Sequence, residues 1–158
     1  MTNPIVTIDD LQTRIGGREL LQLAGVGNLN DDEGRVLDEP RLVEEISFAS
    51  QLIAGYLAAR YPAVTTLATA DQPDLIKGFA TDIVRYRLRA RSGDRNTVTE
   101  EVRKRYEDAI AWLKDVARGR ANAELEELRD TAQASSQTGD VRAHQPAART
   151  PGILEGWR

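Results

Sequence analysis

Cysteine is absent from the 158 residues. That excludes disulfides, zinc–thiolate sites, iron–sulfur clusters and cysteine nucleophiles. Histidine occurs once, at His144, in a polar C-terminal region. A site of several histidine ligands is therefore ruled out, and a Ser–His–Asp triad would have to be built on that one residue. No apolar run approaches the roughly 20 residues of a membrane span, and the opening MTNPIVTIDD has no basic-then-apolar pattern, so neither a span nor an export signal is expected. An excess of positive charge is also missing. Lys and Arg number 21 against 25 Asp and Glu, for a net charge of −4. This argues against a protein whose main task is to coat nucleic acid or an anionic membrane. A phosphate-cradling glycine loop is lacking as well, since RIGGRE has neither the flanking strand nor the lysine.

What is present reads as one folded domain with a modest core: 41% hydrophobic and 29% charged residues. Residues 7–23 predict one or two short helices. Thr7 can cap the first, with Asp9 and Asp10 at the positive end of its dipole and Ile8, Leu11 and Ile15 at helical spacing. Gly16 and Gly17 break it, and RELLQLAG supplies a second. GVGNLNDDEGRVLDEP reads as a loop. From Pro40, suited to a first helical turn, the positions Leu42, Ile46, Ala49, Ile53, Tyr56, Leu57 and Arg60 fall on one stripe, widened by Phe48, Leu52 and Ala59. Pro62 places the helix end at Tyr61.

After the linker AVTTLATADQPD, Asp71 or Asp74 can cap a helix running to about Arg91, with a stripe of Ile76, Phe79, Ala80, Ile83, Tyr86 and Ala90. SGDRNT interrupts. Thr97 or Thr99 then caps a third long helix with Glu100 and Glu101 in its first turn. Its apolar face is Val102, Tyr106, Ala109, Ile110, Leu113, Val116 and Ala117, and Arg118-Gly119 ends it. VTTLAT is the best strand candidate and is too short to build a sheet. The expected fold is all-α: a small bundle of three long amphipathic helices plus short N-terminal helices over residues 1–120, followed by an extended C-terminal tail, 121–158.

Three constellations bear on function. In NLNDDEGRVLDE, Asn28, Asn30 and Asp32 alternate and Glu39 falls twelfth, as in a calcium loop. The sixth position is Glu33 instead of the required glycine, which leaves a solvated acidic loop as the better reading and no metal ligand assigned. RYRLRARSGDR gathers Arg85, Arg87, Arg89, Arg91 and Arg95. On a helix, Arg85 and Arg89 share one face and Arg87 and Arg91 another. They can form ion pairs within or between subunits, with Glu100, Glu101 and Asp108 as nearby acids, or present a basic surface to DNA or an acidic partner. Ion pairing is preferred because a DNA reader is usually more basic overall. Asp82, three residues from Arg85, reads as a structural pair with an arginine; no second acid stands at a spacing for acid–base work.

The tail is polar and rich in Ala, Ser, Gln and Pro, a composition that forms no packed core alone. It ends in TPGILEGWR, where Pro151, Ile153, Leu154 and Trp157 cluster beside Arg158. Apolar side chains at a chain end suit a short peptide that docks in a partner's groove or adds a strand to its sheet.

In order from the N-terminus, TIDDLQTRIGGRELLQL, the acidic NDDEG, EEISFASQLIAGYLAARYP, LIKGFATDIVRYRL and EEVRKRYEDAIAWLKDVARG resemble the small head–tail connector (neck or adaptor) proteins of Mu-like tailed phages and prophages. The likeness spans roughly residues 5–120 and rests on order and spacing. It runs through Tyr56, Arg60 and Pro62, then Asp82, Ile83, Arg85, Tyr86, Arg87 and Leu88, then Val102, Arg105, Tyr106, Ala109, Leu113 and Gly119. Ala54 stands where an aspartate is common. The resemblance implies a structural virion protein with no enzymatic role and no cofactor. It implies a homo-oligomeric ring, commonly of twelve copies, at the virion neck. Such a ring binds the portal protein, meets a tail or tail-terminator protein, and lets DNA pass through its lumen without sequence-specific contact. The tail would reach the portal through Pro151, Ile153, Leu154, Trp157 and Arg158, while Arg85, Arg87, Arg89 and Arg91 would face a neighbouring subunit or the channel. The competing reading is a small helical nucleic-acid-binding or regulatory module using Arg85–Arg95; an enzyme with an unrecognised acid site ranks last.

Overall fold

A capping box starts the first helix. In the computed structural model, which describes residues 3–27, 35–92 and 97–121, the Thr7 hydroxyl accepts from the Asp10 amide at 3.1 Å. The Asp10 carboxylate accepts from the Thr7 amide at 2.8 Å. Helix α1 (Ile8–Ile15) ends at Gly16, whose φ of 97° only glycine adopts easily, and α2 (Gly17–Ala24) follows at once. Strands β1 (Gly25–Val26) and β2 (Val36–Leu37) pair antiparallel, with Val26 opposite Val36. This pair was not expected; two residues per strand carry no readable period. Helix α3 (Glu39–Leu57) is capped by the Asp38 carboxylate, which accepts from the Arg41 amide, with Pro40 in its first turn. Two 3-10 turns (Pro62–Thr65 and Thr69–Asp71) lead to α4 (Asp74–Arg91). Helix α5 (Glu100–Ala117) is capped by Thr99 and closed by Gly119 at φ 76°.

The described residues are thus all-α apart from this small strand pair, and three long helices pack on one another with α1 and α2 against α3 and α4. The core joins Leu11, Leu20 and Leu23 to Leu42, Ile53 and Leu57, to Ile76, Ile83 and Leu88, and to Leu113 and Val116. The N-terminal strap is sewn down by polar contacts. The Ile5 amide donates to the Ser50 hydroxyl at 3.0 Å, and the Asn3 side chain donates to the Thr66 and Leu67 carbonyls.

Several local expectations are corrected. Helix α3 stops at Leu57 and not Tyr61, because a turn over residues 58–60 brings Tyr61 into the core at φ −131° ahead of Pro62. VTTLAT lies partly in a 3-10 turn, not a strand. Neither Asp71 nor Asp74 caps α4; Pro73 holds the cap position, and Asp74 bonds Arg14 at 2.6 Å instead. Phe48, Ala59 and Ala90 are exposed, not part of the apolar stripes, whereas Val84 and Leu88 are buried. His144, Arg95, residues 28–34 of the acidic loop and the tail with Pro151, Ile153, Leu154, Trp157 and Arg158 lie outside the described residues.

Candidate functional site

The arginine-rich half of α4 carries two ion clusters. Arg85 and Arg89, four residues apart, both reach Glu19 on α2. Arg85 does so as a two-bond fork, Nε to Oε1 and Nη2 to Oε2, each 2.8 Å, and Arg89 Nη2 reaches Oε1 at 2.8 Å. Arg87 and Arg91, on another face, both grip Glu45 on α3, through Arg87 Nε to Oε2 and Arg91 Nη1 to Oε1, each 2.5 Å. The 3.6-residue period explains the sorting: alternate arginines fall on different faces, and i,i+4 partners fall on the same one. The surrounding contacts tighten both clusters. Arg89 Nη1 donates to the Thr97 carbonyl at 3.2 Å, Arg91 lies 3.4 Å from Glu44, and the Arg87 guanidinium sits 3.5 Å from the centroid of the Phe48 ring.

The expected sharing of faces is what the structure contains, and the pairing is within the chain. The partners differ from those expected. Glu100, Glu101 and Asp108 do not serve; Glu19 and Glu45 do. Of these, the Glu45 side chain is 0% exposed. Sequence reading missed it because only apolar positions were counted toward the α3 stripe. Its place three residues after Leu42 and four before Ala49, beside the apolar stripe, was the available signal.

Burial pushes the Glu19 and Glu45 carboxyls up, but the hydrogen bonds and charges of Arg85 and Arg89, and of Arg87 and Arg91, outweigh it and hold both below the ordinary glutamate value. Asp82 behaves oppositely. Burial raises its carboxyl above the usual aspartate value, and the more distant charges of Arg105 and Arg85 only partly counter this. The expected pairing of Asp82 with an arginine is not formed among the described residues; Arg85, the nearest in sequence, is committed to Glu19. Beside it, Tyr86 and Tyr106 stack at 4.2 Å, joining α4 to α5. Among the described residues, no group of three or more His, Cys, Asp or Glu is placed to hold a metal ion, and no helix is long and apolar enough to cross a membrane.

The fold and these clusters define a small helical scaffold in which the four arginines of α4 are paired with acids of α2 and α3. The chain belongs to the bacteriophage Mu Gp36 family, whose model matches residues 6–142. It is similar to the Mu-like prophage FluMu protein gp36 of Haemophilus influenzae (strain ATCC 51907 / DSM 11121 / KW20 / Rd). The two are 33% identical over 104 residues, covering 66% of this chain and 67% of that protein.

Proposed function

We propose that the chain is a non-enzymatic head–tail connector subunit that forms a ring at the virion neck, joins the portal to the tail and extends the DNA channel. The observation that carries this reading is the Gp36-family match, which runs through every described helix and on into the C-terminal region. The connector role itself comes from the sequence likeness to phage neck proteins. The pairing of Arg85, Arg87, Arg89 and Arg91 with Glu19 and Glu45 supports a structural part over the alternative of a nucleic-acid-binding module. DNA phosphates would have to displace carboxylates already in place. On this reading DNA passes through the lumen without sequence-specific contact, and the tail anchors Pro151, Ile153, Leu154, Trp157 and Arg158 engage the portal.

Negative-stain imaging of the protein mixed with its portal tests the proposal; a ring beneath the portal is expected. A chain that leaves the portal bare and binds duplex DNA, with affinity falling steeply as salt rises, would favour the nucleic-acid reading instead. Removal of residues 139–158 is expected to leave helix content and melting unchanged and to abolish portal attachment. Unchanged attachment rejects the role of the tail.

A further inference from the structure

The N-terminal strap and α3 border an open pocket of about 330 Å³, walled by Val6, Ile8, Val43 and Ile46 with Ser47 and Ser50. Both serines are engaged already. The Ser50 hydroxyl donates to the Ile46 carbonyl and accepts from the Ile5 amide, and the Ser47 hydroxyl accepts from the Gln51 side chain. The wall therefore offers an occupant mainly apolar contact. Val43 on its rim is 56% exposed among the described residues. The exposed charged residues adjacent in sequence to the wall, Asp9 and Glu44, are both acids, and Glu39 stands one turn before Val43 on the same face of α3. The pocket is apolar inside and has acids at its edge.

A segment that fits brings large apolar side chains together with positive charge. The stretches of chain outside the described residues differ sharply in this respect. GDRN, 93–96, has no apolar side chain. NLNDDEG, 28–34, sets Leu29 among three acids, and ELEELRD sets Leu125 and Leu128 among four. Met1 and Val141 are single apolar residues in polar surroundings. RTPGILEGWR, 149–158, places Ile153, Leu154 and Trp157 close together and carries two cations, Arg149 and Arg158, against the one acid Glu155. Left in water, such a cluster is unfavourable.

From these observations we infer that the pocket is the docking site of the chain's own C-terminal segment. Ile153, Leu154 and Trp157 supply the apolar anchors, and Arg149 and Arg158 meet the acids at the edge, as in the capture of a short peptide by a groove. The length of the connection suits this. Helix α5 ends beside the end of α3, where Arg60 donates to the Val116 carbonyl, and Ala121 still packs on the core. From Leu57 back to Val43, α3 spans about 21 Å. A flexible chain of the 29 residues from 122 to 150 has an r.m.s. span of about 30 Å. A linker whose span matches the distance it must bridge gives the highest effective concentration, so a weak contact is enough to hold the segment. The docking rests on neither the ring nor the portal. Under the connector reading the same residues engage the portal, so pocket and portal compete for one segment, and the free chain keeps its apolar end out of water until the portal takes it.

The test uses the full chain, which has no cysteine of its own. Val43→Cys, at an exposed position, is combined with Leu154→Cys, and in a control chain with Thr138→Cys, a polar position nearer to α5. In dilute protein under oxidant, the first pair is expected to close within one chain about tenfold faster than the control pair. A tail with no docking site would close at Thr138 at least as readily, because that loop is shorter. Equal rates, or a faster control, therefore overturn the inference. Disulfides formed mainly between two chains give the pocket to another copy and overturn it as well. Two additions separate docking from chance encounter: Ile153→Asp in the Val43→Cys, Leu154→Cys chain, and the free peptide RTPGILEGWR in millimolar excess. Each is expected to slow closure several-fold, and closure that either leaves unchanged overturns the inference.

Discussion

Glu45 has no exposed side-chain surface, and both its carboxylate oxygens are held by guanidiniums. Glu19 has the same kind of partners but keeps 23% of its side chain in contact with solvent. The difference predicts unequal effects. Removing one member of a buried ion cluster costs about 3–5 kcal/mol. Glu45→Ala is expected near the lower end, about 3 kcal/mol, because Arg87 can turn its partly exposed head to water. Glu19→Ala is expected to cost about 1–2 kcal/mol. Urea denaturation checks the order; a Glu19 variant as damaging as the Glu45 variant would contradict this account.

The same residues set the response to acid. The folded carboxyls of Glu19 and Glu45 lie below their unfolded value of 4.5. Their contribution is present in full above that value and is lost as pH falls through the lower folded values. Asp82 has the opposite sign, since its folded carboxyl lies above the unfolded 3.8. Its ionised form therefore destabilises the fold at neutral pH, and the penalty is relieved as pH falls through its raised folded value. Asp82→Asn is expected to raise stability at pH 7, with the gain shrinking toward pH 4; a variant less stable at pH 7 would show that the carboxylate has a partner.

At the scale of elements, the caps of α1 and α5 were legible, while that of α4 and the pairings between helices were not. Thr7 with Asp10, and Thr99 with Val102, are events within one turn, so they stand in the sequence at fixed offsets. The Arg87–Glu45 bond joins residues 42 apart, and no periodicity encodes which helix an arginine will meet. Phe48 was assigned inward on helical spacing. It lies outward because a guanidinium from α4 covers its ring, a contact visible only once both helices are placed. The acidic loop and the tail keep their reading as sequence alone.

Two glycines give a matched pair of predictions. Gly55 lies inside α3 where an added Cβ would meet nothing within 4 Å. Gly55→Ala is expected to stabilise the chain by about 1 kcal/mol through helix propensity, raising Tm by roughly 2–8 °C. Gly119 sits at φ 76°, and a Cβ there would stand 2.9 Å from Arg60 Nη1, which itself donates to the Val116 carbonyl. Gly119→Ala is expected to cost about 1–2 kcal/mol. Thermal melts that move both variants in the same direction would be inconsistent with these environments.

For the molecule as a whole, the N-terminal strap is part of the core. Ile5 and Val6 are fully buried. Burying an aliphatic side chain contributes about 1.5–3 kcal/mol, so deleting residues 1–7 is expected to cost about 3–6 kcal/mol, a large share of a typical domain's 5–15. A sharp fall in the denaturation midpoint with loss of the Thr7 cap is the expected reading; an unchanged midpoint would mean that the strap merely lies on the surface.

The two clusters on α4 also act on its motion. Helices that meet through aliphatic side chains alone can turn or slide past one another by small steps, because one methyl group replaces another at little loss. α4 has no such freedom. Rotation by one residue, about 100°, would carry all four arginines off their carboxylates, and axial slip by one turn of 5.4 Å would strip each glutamate of one of its two partners. With Glu19 on one side and Glu45 on the other, the helix is keyed like a shaft in a slotted bearing, fixed in both angle and depth. A chain built on such a shaft passes torque and axial load from α4 to α2 and α3 as one body.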